Sequence, residues 1–460
     1  MSGIVDILET ALGKETVIRG RDMDRATSYW DPSPAKARAL LLPRTTAEVS
    51  EALRLCFEHN QPVVTQGGMT NCVAAADAGD DEVILSLERM AAIESIDVTG
   101  GTAMVGAGVV LQTLQEACLD KGMLFPLDLG ARGSCTLGGN AATNAGGINV
   151  LRYGMTRNLV LGMEVVLADG TILSSLNRML KNNAGYDLKQ LFIGTEGTLG
   201  VITRLVVKLF PRPKTCCSAL VALEDFDRVT ALLRCARSDL ADTLSAFEVM
   251  WGNYFSGVTG EQGHRAPLSR DHAYYVMLEA EGGEPGTDED RFNRLLESSY
   301  EHGLIVDAVI PKSESERIAL WNIREHFDPI LDPKPVFLYD ISLPIVDMEH
   351  YVNTVGSQLR TRWSDCEFYI LGHIADGNLH FFIRPKAKST TLHHECDDIV
   401  YGVLKDFSGS ISAEHGIGIE KVNWLSHCRT QAELKLMKQI KQTLDSKNIL
   451  NRGRVLGDMV

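Results

Sequence analysis

The chain has 460 residues, too many for one hydrophobic core, so two or three domains are expected. Its 45% apolar and 23% charged residues are ordinary for a globular protein, and no apolar run approaches the roughly 18 residues of a membrane span. A formal charge of −15 argues against nucleic acid and against an anionic membrane as partner. Ten scattered cysteines with no Cys-x-x-Cys pair read as reduced thiols, and no signal peptide is evident, so a cytoplasmic location is expected.

Thr45 and Glu48 form a capping-box pattern before apolar residues at Val49, Ala52, Leu53, Cys56 and Phe57, predicting a helix with one buried face. Val63-Val64 starts a strand that runs into the glycine loop 66–71. Strands are predicted at Val83–Leu87 and Thr102–Val105, and a helix from Leu111 to Asp120. The segment from Leu127 to Gly154 is glycine-rich and weakly charged, with Asn, Thr and Ser at fixed places and no proline. It reads as an ordered loop pressed against a ligand rather than as a linker. A hairpin is predicted at 159–173, and another glycine-spaced turn at 193–202.

Pro211-Arg212-Pro213 is the clearest boundary signal, and strands alternate with helices beyond it. Strands are expected near Ala219–Leu223, Tyr274–Glu279, Val336–Ile341 and Glu367–His373. Helices are expected near Asp227–Ser238, Glu289–Glu301, Glu314–His326, Asp347–Arg362, Leu392–Phe407 and Gln431–Lys447. The domains expected are 1–213, 214–410 and a terminal segment 411–460.

No phosphate-loop lysine motif and no dinucleotide fingerprint with its acidic residue is present. Three glycine clusters remain, at 67–71, 130–147 and 194–200. Glycine admits close approach of backbone N–H groups to phosphate, so three such loops together favour an extended pyrophosphate-bearing cofactor.

The most informative stretch is Gly372-His373-Ile374-Ala375-Asp376-Gly377-Asn378-Leu379-His380, with Glu414-His415-Gly416-Ile417-Gly418 far downstream. Asp-Gly between apolar runs is a strong hairpin signal. Pairing of Ile374 with Leu379 across a four-residue turn would set His373 opposite His380, with Cβ atoms about 4.5–5.5 Å apart. Two imidazoles at that spacing suit one metal ion; Glu414 would be a third ligand, and His415 an acid/base group. The plainer alternative is that the histidines cap a sheet and Glu414 pairs with an arginine.

Together these motifs, with 126–154 and 181–203, resemble the FAD-linked 2-hydroxy-acid dehydrogenases of the vanillyl-alcohol-oxidase (PCMH-type) fold. That group includes D-lactate, glycolate and D-2-hydroxyglutarate enzymes, and the likeness runs from about Arg38 to Gly453. It implies an α+β protein: a two-subdomain FAD-binding domain, a cap with an antiparallel sheet covered by helices, and a C-terminal helical segment returning to the FAD domain. The flavin site would take Gly67, Gly68, Thr70 and Asn71, then Pro126, Gly133, Ser134, Thr136, Gly138, Gly139, Thr143, Asn144 and Gly147. Glu196, Gly197, Ile202 and Asn451 would complete it. No histidine lies in 60–154, so FAD is expected to be noncovalent.

The resemblance makes His373, His380 and Glu414 ligands of Zn²⁺ or another divalent metal, His415 the catalytic base, and Arg324 the group that holds the substrate carboxylate. The reaction implied is oxidation of a D-2-hydroxy acid to the 2-oxo acid, with hydride passing to flavin N5. Electrons would leave to an electron-transfer flavoprotein, a quinone or a cytochrome, and a homodimer is the usual assembly. Leu338, Asp328 and Phe382 stand where the hydroxyglutarate enzymes secure a second carboxylate. None is positive, so a lactate-like or apolar-tailed monocarboxylate is expected ahead of 2-hydroxyglutarate or D-malate. A metal-dependent hydrolase and a non-catalytic flavin-binding protein are the remote alternatives.

Overall fold

The computed structural model describes residues 3–28, 31–260 and 263–457. The chain forms two compact units. The first comprises residues 1–147, 154–212 and 414–460, and the second 148–153 and 213–413.

The first unit holds two principal sheets. Val63–Gln66, Val83–Ser86 and Ala39–Leu41 run parallel, with Val17–Arg19 antiparallel at the edge. These strands are almost wholly buried, as parallel strands covered on both faces must be. The helix Thr46–Glu58 covers them with Val49, Ala52, Leu53 and Cys56, and Thr45 Oγ1 accepts the Glu48 N–H at its start. The second sheet is antiparallel, in the order Ile93–Asp97, Thr102–Gly106, Val201–Lys208, Val160–Val166, Ile172–Ser175. The segment 127–154 is ordered but not all loop. Leu137–Thr143 is helical, ended by Asn144 in the left-handed region, and Val150–Tyr153 is a single helical turn within the second unit. The last helix, Gln431–Leu444, stops three residues short of the expected Lys447 because Asp445 leaves helical geometry.

The second unit is built on seven antiparallel strands: Asp307–Val309, Thr215–Leu223, Tyr274–Gly282, Leu244–Trp251, Glu367–Gly372, Asn378–Arg384 and Phe337–Ser342, in that spatial order. One face packs on long helices: Phe226 of Phe226–Leu240 meets Trp251 and Tyr274, and Tyr351 of Met348–Arg362 meets Phe381 edge-on. The other face meets Gly252–Val258, where Phe255 stacks on Tyr275 at 3.7 Å, and Glu314–Glu325. The α+β architecture expected from the sequence is the one formed. Leu244–Trp251, a central strand, was not among the strands expected.

Candidate active site

In the first unit, the glycine loops come together. A Cβ on Gly67 would lie 2.5 Å from Thr136 Oγ1, and one on Gly68 would lie 2.1 Å from the Ser134 carbonyl oxygen, so only glycine lets the 66–71 turn sit on the 133–139 segment. Gly138 faces Ala107 just as closely, and Gly147, at φ +95°, bridges to Asp128. Around these loops Thr65 Oγ1, Asn71 Nδ2, Thr136 Oγ1 and Asn140 Nδ2 are buried without a protein hydrogen-bond partner. Buried polar groups are nearly always paired, so orphans beside glycine turns fit a polar cofactor lying against them. Thr65 and Asn140 were not among the residues picked from sequence. The signal was present, since Thr65 precedes one glycine cluster and Asn140 lies inside another.

Glu196 is tied into the same unit. Its carboxylate accepts the N–H groups of Ile417 and Gly418 at 2.7 and 2.8 Å, and its carbonyl accepts from Asn451 Nδ2 at 2.6 Å. Burial pushes its carboxyl above the ordinary glutamate value, against the pull of those two N–H groups and of Lys421. Asn451 Oδ1 accepts the Thr65 N–H at 2.9 Å, so one side chain ties the Val63–Gln66 strand to the Glu196 turn. Gly197 lies against Asn451, Ile202 is buried in Val201–Lys208, and Gly133, Gly139 and Thr143 lie in or beside Leu137–Thr143. Glu414 and His415 open the last segment of this unit, where Glu414 accepts the Gly147 N–H.

In the second unit, the sheet register assembles the histidines. His380 pairs with Leu371 on one side and with Asp340 on the other. The expected pairing of His373 with His380 is therefore shifted by two residues. Ile374–Asp376 forms a 3-10 turn closed by Gly377 at φ +92°, and this lengthens the loop. A shift of two keeps every side chain on its face, and diagonal neighbours stay within reach. The two imidazoles still lie edge to face with centroids 5.5 Å apart. His380 Nδ1 is 3.8 Å from Asp340 Oδ1, and that oxygen also accepts from Asn378 at 2.9 Å.

The adjoining strand pairs Val249 with Gly372 and Met250 with Leu371, which carries Glu248 to His373. Glu248 Oε1 accepts from His373 Nδ1 at 2.7 Å, and Oε2 accepts from Arg324 Nε at 2.8 Å. Arg324 NH2 reaches His373 Nε2 at 3.0 Å, and NH1 stands 3.5 Å from Glu325. Arg324 is buried, and the pair with Glu325 that its helix permitted is formed as a long contact beside the shorter one to Glu248. Burial alone would push the Glu248 carboxyl up, but His373 and Arg324 outweigh it and hold the group below the usual glutamate value. Sequence reasoning missed Glu248; its signal is that it is the one charged residue in Leu244–Trp251, where every position is buried.

Beyond this polar end the same sheet face turns apolar. Leu338 pairs with Phe382, and Phe382 with Tyr369. Phe327 lies 4.9 Å from the Phe382 ring, Tyr254 lies 6.4 Å from it, and the Tyr254 hydroxyl donates to the Arg324 carbonyl at 2.9 Å. Asp328 begins a 3-10 turn next to Phe327.

Comparison with known proteins gives a consistent picture. An FAD binding domain profile matches residues 37–175, and the profile of the C-terminal domain of FAD-linked oxidases matches 212–455. The mitochondrial D-2-hydroxyglutarate dehydrogenase of Bos taurus is 41% identical over 423 residues, which cover 91% of this chain and 77% of the relative. A D-2-hydroxyglutarate–pyruvate transhydrogenase of Saccharomyces cerevisiae is 34% identical over 430 residues, covering 90% of this chain and 86% of the relative. Among solved structures, p-cresol methylhydroxylase with substrate bound superposes with a TM-score of 0.79 at 17% identity, covering 99% of this chain and 96% of that one. Alkyldihydroxyacetonephosphate synthase superposes at 0.75 and 15% identity, covering 97% and 85%. At these identities the two structures speak for the fold alone, which is the PCMH type.

Proposed function

This chain belongs to the FAD-linked oxidases, as a FAD-dependent hydroxy-acid dehydrogenase, and from that premise we propose that it oxidises a D-2-hydroxy acid whose tail is apolar. The observation that carries the choice of tail is the Leu338–Phe382 pair, packed with Phe327 and Tyr254 beside Arg324. A second substrate carboxylate placed there would be desolvated, and the buried cation two residues on along the same sheet face, Arg384, already donates to Glu367 and to the Ile330 carbonyl. The relatives named for D-2-hydroxyglutarate keep a dicarboxylate as the second reading.

Bound FAD supplies the hydride acceptor, and a divalent metal supplies Lewis acidity toward the substrate hydroxyl. His373 and His380 offer imidazole nitrogens suited to Zn²⁺, and the sequence motif assigns Glu414 as the third ligand. His415, next to Glu414 in that motif, is assigned the hydroxyl proton, which an imidazole can accept near neutral pH. Arg324, held through Nε by Glu248, would turn its terminal nitrogens from His373 and Glu325 to a bidentate grip on the substrate carboxylate, fixing which face of the reacting carbon is presented. The electron acceptor is assigned by chemical class alone: an electron-transfer flavoprotein, a quinone or a cytochrome.

Anaerobic bleaching of the flavin against a panel of hydroxy acids tests this. Apolar-tailed D-2-hydroxy acids are expected to bleach it at least tenfold faster, at equal concentration, than D-malate or D-2-hydroxyglutarate. Faster bleaching by a dicarboxylate would transfer the assignment to the second reading, and no bleaching by any hydroxy acid would sink both.

A further inference from the structure

We infer that Glu248 is a positioning residue for the reaction, one buried carboxylate that fixes both the imidazole of His373 and the guanidinium of Arg324. The inference rests on the function proposed above and adds to it a residue outside the motifs. Glu248 belongs to the strand Leu244–Trp251, and the register Val249–Gly372 is what brings it opposite His373. Its two oxygens are divided between two partners: Oε1 on His373 Nδ1 at 2.7 Å and Oε2 on Arg324 Nε at 2.8 Å.

The contacts determine the histidine's proton arrangement. A carboxylate oxygen can only accept, so His373 Nδ1 carries the proton. Arg324 NH2 can only donate, so its 3.0 Å contact makes Nε2 the acceptor. The lone pair is thus on Nε2, the nitrogen away from Glu248, and a metal ligated there would take the place of the Arg324 NH2 contact. This carboxylate–histidine arrangement orients a metal-ligating imidazole and raises its basicity. The same carboxylate holds the guanidinium by Nε, the one nitrogen not needed for a fork-to-fork grip on a substrate carboxylate.

A simpler role, that of a counter-charge for buried Arg324, accounts for only one of the two oxygens. It predicts that any change at Glu248 acts through folding alone. The positioning role predicts two separable losses in a folded protein, in metal affinity through His373 and in substrate affinity through Arg324.

The test compares full-length, FAD-loaded native protein with Glu248→Gln and Glu248→Asp. Zn²⁺ affinity is measured by competition with a chromogenic chelator, KM and kcat by flavin turnover, and FAD content serves as the folding check. A glutamine has one acceptor and one donor end, so it can serve His373 or Arg324 but not both. Glu248→Gln is expected to keep FAD while Zn²⁺ affinity falls roughly 10- to 100-fold. KM is expected to rise more than kcat falls, and Glu248→Asp to recover part of both losses. A flavin-loaded Gln variant with native Zn²⁺ affinity and native KM overturns the inference. If the Gln variant does not fold, the Asp variant decides. Its shorter carboxylate is expected to hold both partners less well than glutamate does, so unchanged affinity and KM there overturn the inference equally. A native protein that takes up no Zn²⁺ is a different result: it removes the metal from the proposed function, and a native KM in the variants then removes Glu248 as well.

Discussion

Glu196 shows how far a single side chain can be read from sequence. Its place in a glycine-spaced turn marked it for the flavin loops, and the structure gives its carboxylate two backbone N–H partners, from Ile417 and Gly418. What no local pattern could show is its environment, which depends on residues more than two hundred positions away. Burial raises its carboxyl above the ordinary 4.5, so the folded chain holds a proton that the unfolded chain releases. Stability from this group is therefore full below pH 4.5, falls as pH rises toward the raised value, and is level above it. Urea unfolding of the native protein and of Glu196→Gln from pH 4.5 to 7 isolates the effect. The native protein is expected to lose ground steadily against the variant as pH rises. A constant difference across that range would mean that Glu196 titrates as an ordinary glutamate. Arg324 carries the same lesson in another form: its helix was legible, but its partner Glu248, on a strand 76 residues earlier, was not.

The hairpin of Glu367–Gly372 and Asn378–Arg384 depends on Gly377. That residue lies at φ +92°, and a Cβ there would stand 3.2 Å from the Leu343 carbonyl oxygen. Alanine in such a conformation costs about 1–2 kcal/mol, and the strain falls on the turn that sets His373 against His380. Gly377→Ala is expected to lower the melting temperature and to weaken Zn²⁺ binding, with FAD content unchanged. The same change at Gly402 has the opposite sign. That residue is inside the helix Leu392–Leu404 with open space around its Cα, so alanine should stabilise by about 0.4–1 kcal/mol. Equal melting shifts at the two sites would show that the turn carries no special constraint. The Asp376-Gly377 signal made the hairpin legible but not its register, because the 3-10 turn absorbs residues that a tight turn would have paired. The strand bearing Glu248 was harder still. All eight of its residues are buried, so it shows no polar alternation, and its link to His373 spans 125 residues.

At the scale of the whole molecule, the first unit is assembled from three stretches of chain, and its last stretch returns after some two hundred residues spent elsewhere. The resemblance carried this return into the sequence reading; the contacts that secure it are the structure's. Val63 N–H donates to the Ile449 carbonyl at 2.7 Å and Asn451 N–H to the Val63 carbonyl at 2.9 Å, adding the terminal segment beside the Val63–Gln66 strand. Asn451 then spends both ends of its amide on backbone groups of two other segments, Thr65 and Glu196, in a buried position. Asn451→Leu would strand both groups, and each buried unsatisfied group costs about 1–3 kcal/mol. The loss should appear as cofactor release, because Thr65 leads directly into the Gly67-Gly68 turn and Glu196 into Gly197. The variant is expected to leave gel filtration largely free of flavin with a lowered melting temperature, and millimolar FAD should recover part of that temperature by mass action. If it retains native FAD content and melts with the native protein, the returning segment is not what holds the flavin loops. The glycine contacts of Gly67 and Gly68 with the 133–139 segment would then have to suffice alone.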